Sequence, residues 1–171
     1  SSTEKAVNLK RARHRIDEAK SQGAEIIAFP EFLMAFSPAS QSAAELTAVA
    51  ESVDGPFIGA LCDHAKAAKL GVLAAIYESS PIANRVYDSA VWIDAAGDIA
   101  SVYRKLHLYD AFGFKESDKF HPGDDIAPLF NFGDAHCGTM ICYDLRFPGL
   151  ARLLTLDGAN ILFAPSGWVQ G

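Results

Sequence analysis

Gly138-Thr139-Met140-Ile141-Cys142-Tyr143-Asp144-Leu145-Arg146-Phe147-Pro148 changes character halfway along. Gly138 to Cys142 is a short, mostly apolar run of strand length. Phe147 to Leu156 then reads as a helix, with Pro148 in its first turn, where no backbone donor is needed. Ile161 to Ala164 is a further apolar run. Strand, helix and strand in this order predict an α/β layer architecture.

Working outward, Leu129 to Phe132 pairs naturally with the Gly138 strand around Gly133-Asp134. Val72 to Tyr77, Val86 to Ile93 and Ile99 to Tyr103 are three more strands. The last two are joined by the turn Ala95-Ala96-Gly97-Asp98. Helices are expected over 3–21, stopped by Gly23, over 42–52, and from Pro56 to about Leu70, with Gly71 after its end. Glu25 to Phe29 is a buried strand cut off by Pro30. Hairpins mixed with helix–strand units predict one domain, 1–171, with a mixed sheet covered by helices. Only Lys105 to Ala127 lacks a pattern, and a loop of that length in a compact domain is usually functional.

The composition excludes several classes. Lys and Arg number 15 against 21 Asp and Glu, a net charge of −6, which argues against a nucleic-acid or anionic-membrane surface. No apolar run approaches the roughly 18 residues of a spanning helix, so no membrane partner is expected. Cys62, Cys137 and Cys142 are too few and too scattered for a disulfide framework, which points to a cytoplasmic setting.

Three polar residues follow apolar strands at their C-terminal ends, where open α/β sheets bind ligands: Glu31, Lys105 and Cys142. Singly, each has a plainer reading. Cysteine is often a small core hydrophobe, the reading kept for Cys62 and Cys137, and the other two would be solvated turn residues. Together they fit one mechanism. A carboxylate takes the proton of a thiol, whose ordinary pKa is about 8.5, with help from the dipole of the helix starting near Phe147. An ammonium and the backbone N–H of Tyr143 then stabilise the oxyanion of an attacked amide.

Phe29-Pro30-Glu31, Tyr103-Arg104-Lys105-Leu106-His107-Leu108 and the Gly138–Pro148 stretch resemble the nitrilase superfamily of carbon–nitrogen hydrolases, in order and spacing. The resemblance implies an α-β-β-α sandwich, a Glu–Lys–Cys triad carried by Glu31, Lys105 and Cys142, and a second glutamate carried by Glu116. It also implies no metal or organic cofactor, a small-molecule amide substrate, and a homodimer or larger homo-oligomer. Tyr143-Asp144 after the cysteine, with Ala164-Pro165-Ser166-Gly167-Trp168, is similar to the amidase branch, which includes ω-amidases and amidases of deaminated glutathione. Nitrilase and N-carbamoyl hydrolysis remain alternatives. Arg146, four residues after Cys142, is expected to grip a substrate carboxylate, or else to pair with Asp144. Family chains start with a strand before the first helix and run about a hundred residues further, so this chain looks truncated at both ends. Gly149 stands where many relatives have Glu, and Asp88 where many have Asn; neither is expected to touch the triad, but both are expected to alter the support around it.

Rival readings use other residues. His107, Asp110, His121, Asp124 and Asp125 share one loop and are possible metal ligands, although their spacing matches no metal motif. A Cys–His enzyme would recruit His107 beside Cys142. An inactive binding module would keep the fold alone.

Overall fold

The computed structural model describes residues 2–38 and 40–168. Helix α1 (Lys5–Ser21) buries Asn8, Ala12 and Ile16, a single stripe at four-residue spacing. It stops at Gly23, whose φ of +80° favours glycine. Strand β1 (Ile26–Ala28) follows, shorter than the expected Glu25–Phe29. Helix α2 (Ala43–Val49) is held by a capping box between Ser42 and Glu45. It ends before 52 because Ala50 turns extended and Glu51 pairs with the neighbouring strand, its N–H donating to Tyr77 O at 3.0 Å. Helix α3 (Pro56–Ala68) ends on a left-handed Lys69 rather than on a glycine. Gly71 instead opens β2 (Gly71–Ser79), which leads into β3 (Val86–Ile93) and β4 (Ile99–Arg104).

The second half contributes β5 (Phe130–Phe132), β6 (Ala135–Thr139), α4 (Pro148–Leu156) and β7 (Ile161–Phe163). Two sheets result. One has the order β1-β2-β3-β4, with β1 parallel to β2 and the remaining pairs antiparallel. The other has the order β5-β6-β7, antiparallel and then parallel. The single mixed sheet suggested by element order is therefore two mixed sheets.

The period of two along β2 explains the layering. Val72, Ala74 and Ile76 pack with Ile16, Leu61 and Ala65 of the outer helices. Leu73 faces the other way, into a cluster with Trp92, Phe130, Leu150 and Leu154. Trp92 joins the sheets: its ring stacks on Phe130 at 4.4 Å and meets Phe163 edge-on, and its Nε1 donates to Thr139 Oγ1 at 2.8 Å. Truncating such a core aromatic typically costs about 3–5 kcal/mol. With α1 and α3 outside one sheet and α4 outside the other, the layers are α-β-β-α. Among the described residues, no helix is long and apolar enough to cross a membrane.

Topology then positions the chemistry. β1, β2 and β4 run in the same direction, so their C-terminal ends share one edge. The start of antiparallel β3 lies at that edge too, because Asp88 is opposite Tyr77 and Ser89 is opposite Arg104.

Candidate active site

Glu31 sits in the turn after β1, Lys105 immediately after β4, and Cys142 beyond β6. All three are buried, with exposures of 3%, 1% and 8%. Lys105 Nζ donates to Glu31 Oε1 at 2.9 Å and lies 3.0 Å from Glu116 Oε2. Glu116 opens a short 3-10 turn, Glu116–Asp118, inside the long loop. Its carboxylate also accepts the Tyr109 N–H at 2.7 Å. The loop returns to β4 through Gly123, whose N–H donates to Lys105 O at 2.9 Å. A Cβ on Gly123 would stand 2.4 Å from Arg104 O, so no other residue fits there.

Glu31 is held from a second side. Its Oε2 accepts the N–H of Gly167 at 2.7 Å, which ties the segment after β7 to the turn after β1. A Cβ on Gly167 would press within 2.9 Å of the Phe32 ring, so glycine permits this approach.

The Cys142 turn differs from the sequence expectation. Ladder pairing ends at Thr139, yet the chain stays extended, with Met140 N–H donating to Phe163 O and Cys142 N–H to Pro165 O, each at 2.9 Å. Cys142 then opens a 3-10 turn, Cys142–Arg146, at φ +46°. A non-glycine residue in that region is uncommon and marks a position that the surroundings enforce. Helix α4 starts only at Pro148, so its N-terminus is not at the thiol, contrary to the expected dipole effect. Burial, the Glu31 charge and a hydrogen bond to Glu31 push the Cys142 thiol up to about 12, with Lys105 pulling the other way. The thiol is thus neutral at rest. Burial opposes the charge of Lys105, but the carboxyls of Asp88, Glu31 and Glu116 outweigh it and raise its pKa.

Asp88 corrects another expectation: it does touch the cluster, with Oδ2 3.7 Å from Lys105 Nζ. The visible signal was a carboxyl inside an otherwise apolar strand. Asp144 was missed as a support. It is fully buried and takes four hydrogen bonds: Tyr103 Oη at 2.6 Å and Ile141 N at 2.9 Å on Oδ2, and His107 N at 3.0 Å and Nδ1 at 2.7 Å on Oδ1. It therefore staples the Lys105 segment to the Cys142 turn. Asp144 is not the partner of Arg146. The Arg146 guanidinium instead lies 5.5 Å from the Trp168 ring centroid. Tyr143 packs edge-on against Tyr109 and Phe147 and is partly exposed.

His107, which both rival readings use, is engaged elsewhere. The His107 ring binds Asp144 and stacks on Phe147 at 3.7 Å, so it is not a free base. Among the described residues, no group of three His, Cys, Asp or Glu is placed to hold a metal ion. Gly149 is exposed at the start of α4, where a Cβ would meet nothing.

Facing sheets, outer helices and a Glu–Lys–Cys cluster at the strand ends define one class of protein, that of the resemblance drawn from the sequence. The chain belongs to the carbon-nitrogen hydrolase family, whose sequence model matches residues 1–171. It is 41% identical over 123 residues to the deaminated glutathione amidase of Escherichia coli O157:H7, covering 71% of this chain and 46% of that protein. Nitrilase homolog 2 of Dictyostelium discoideum is 32% identical over 170 residues, 96% of this chain and 50% of its own length. The chain spans about half the length of the curated relatives it matches. The NitFhit protein of C. elegans superposes with a TM-score of 0.89 at 23% identity, over 99% of this chain and 42% of that one. An amidase from Nesterenkonia sp. has a TM-score of 0.80 at 22% identity, over 99% and 62%. These two likenesses concern the fold.

Proposed function

We propose that the protein hydrolyses a small, carboxylate-bearing amide through a thioester on Cys142, releasing ammonia. The observation that carries this reading is the buried contact of Glu31 and Lys105 at 2.9 Å beside the buried, left-handed Cys142. Because the thiol is neutral at rest, its proton must leave during attack, and Glu31 is the base that takes it. Sγ bonds to the amide carbon while the carbonyl oxygen gains charge. That oxygen is received by an N–H of Lys105 and by the backbone N–H of Tyr143. The intermediate collapses, the C–N bond breaks, and the leaving amine takes the proton from Glu31. Water then attacks the thioester carbon, giving a proton to Glu31; the C–S bond breaks, the carboxylic acid product leaves, and Glu31 returns the proton to the Cys142 sulfur. Glu116 holds Lys105 from the loop side throughout.

Arg146 is the proposed grip for the substrate carboxylate. It is exposed, braced on Trp168, and not neutralised by Asp144, whose oxygens are occupied. A homodimer or larger homo-oligomer is part of this reading, supported by the exposed Leu153 and Leu156 on α4. A cytoplasmic location is supported by three free cysteines.

Ammonia release tests the assignment, using an ω-amide acid, its methyl ester, an N-carbamoyl amine and a nitrile, with Cys142→Ala as the blank. The acid is expected to exceed the ester at least about tenfold in kcat/KM, the worth of one charge-assisted pair. The Cys142→Ala protein should release none. A stronger preference for the carbamoyl or nitrile compound would overturn the amidase reading.

A further inference from the structure

Lys105 is surrounded by more negative charge than it can balance. Glu31 and Glu116 each take one of its three N–H donors. Asp88, a third carboxyl, is 2% exposed and 3.7 Å from the same nitrogen, too far for a hydrogen bond. Neither Asp88 oxygen accepts a hydrogen bond from any described donor. An ionised carboxylate left so is among the most costly groups to bury. A carboxylic acid in the same place has a use for its proton, because the Glu31 carboxylate, an acceptor, converges with Asp88 on the same Lys105 nitrogen.

We propose that Asp88 is a positioning residue that stands in the site as a neutral carboxylic acid, its O–H donated to Glu31, leaving the third N–H of Lys105 free for the substrate oxygen. Its placement follows from the sheet. Lys105 N–H donates to the Asp88 carbonyl at 2.9 Å, so the two side chains emerge side by side at the edge where Glu31 arrives from β1. The charged and titratable groups around Asp88 are Glu31, Lys105, Glu116, Tyr77 and Tyr103. Only Lys105 among them favours ionisation. Burial, followed by the charge of Glu31, holds the Asp88 carboxyl well above the usual range. Buried carboxylic acids kept neutral to donate a hydrogen bond are a known device of enzyme sites. An ionised Asp88 would compete for the Lys105 proton that the oxyanion needs; a neutral one orients Glu31 without competing.

This inference rests on the catalytic roles proposed for Glu31 and Lys105, and its test separates the two. The infrared difference spectrum between the native protein and Asp88→Asn should contain the C=O stretch of a buried carboxylic acid, present in the native protein only. In turnover, Asp88→Ala is expected to lower kcat about 100-fold with KM nearly unchanged, and Asp88→Asn, which still donates, to recover at least about tenfold of that loss. A carboxylate band in place of the acid band, or an Asn protein as slow as the Ala protein, overturns the proposal. The spectrum needs only the native and Asn proteins, so it decides even where the Ala protein does not fold. A native protein inactive on amides would sink the catalytic reading and leave the infrared result to stand on its own.

Discussion

Lys105→Met is expected to lower kcat about 1,000-fold, the usual loss when a donor to a developing oxyanion is removed. The same change should destabilise the fold by about 3–5 kcal/mol, because a buried charge cluster loses its counter-ion. Both effects follow from one geometry. Lys105 is almost fully buried, and among the described residues its ammonium is the only cation paired with Glu31 and Glu116. Met keeps the length of the stem and removes the charge. Without it, Glu31 and Glu116 lose a donor, and Glu31 is left buried with an unmatched charge. Steady-state kinetics and urea unfolding measure the two effects separately. A Lys105→Met protein of native stability and near-native turnover contradicts the role given to this residue.

Glu31→Gln is the second large effect, and its two readouts move in opposite directions. Turnover should fall about 1,000-fold with little change in KM, as expected when a general base acts only in the transition state. The resting thiol should at the same time become easier to ionise. Glu31 raises the Cys142 pKa through its charge, and Lys105 opposes it. Burial, the largest cause of the rise, stays, but removing the negative charge takes away the next largest while the ammonium remains, so the pKa falls and the thiolate fraction at a given pH rises. Alkylation of Cys142 by iodoacetamide near pH 8 should therefore be faster in the variant than in the native protein. Near-native turnover in Glu31→Gln would remove it as the base, and unchanged or slower alkylation would show that its charge does not act on the thiol.

Much of the fold was legible because local signals agreed. The apolar runs Val72–Tyr77, Val86–Ile93 and Ile99–Tyr103 fall within or on observed strands, and Gly23 ends the first helix. Element order did not reveal two sheets, because the contact that separates and joins them, Trp92 between Phe130 and Phe163, is long-range. The helix expected over 42–52 ends at Val49 because Glu51 is claimed by β2, which is again a tertiary effect. In the site, strand-end positions pointed to Glu31, Lys105 and Cys142, and the motif match pointed to Glu116. Asp88 and Asp144 were misjudged for a physical reason. Their importance lies in what they meet across the sheet edge, namely Lys105, Tyr103 and His107, and no spacing along the chain encodes those meetings. The left-handed Cys142 was equally invisible, since the bond that anchors its N–H, to Pro165 O after β7, is again long-range.

Cys142 is expected to carry the acyl group of an amide during turnover. The measurement is mass spectrometry of the protein quenched during turnover of an ω-amide acid, followed by peptide mapping. An added acyl mass is expected on the peptide containing Cys142, lost on further incubation as water completes the reaction, and absent from Cys142→Ala. An acyl adduct on Cys62 or Cys137, or turnover that persists in Cys142→Ala, would contradict it.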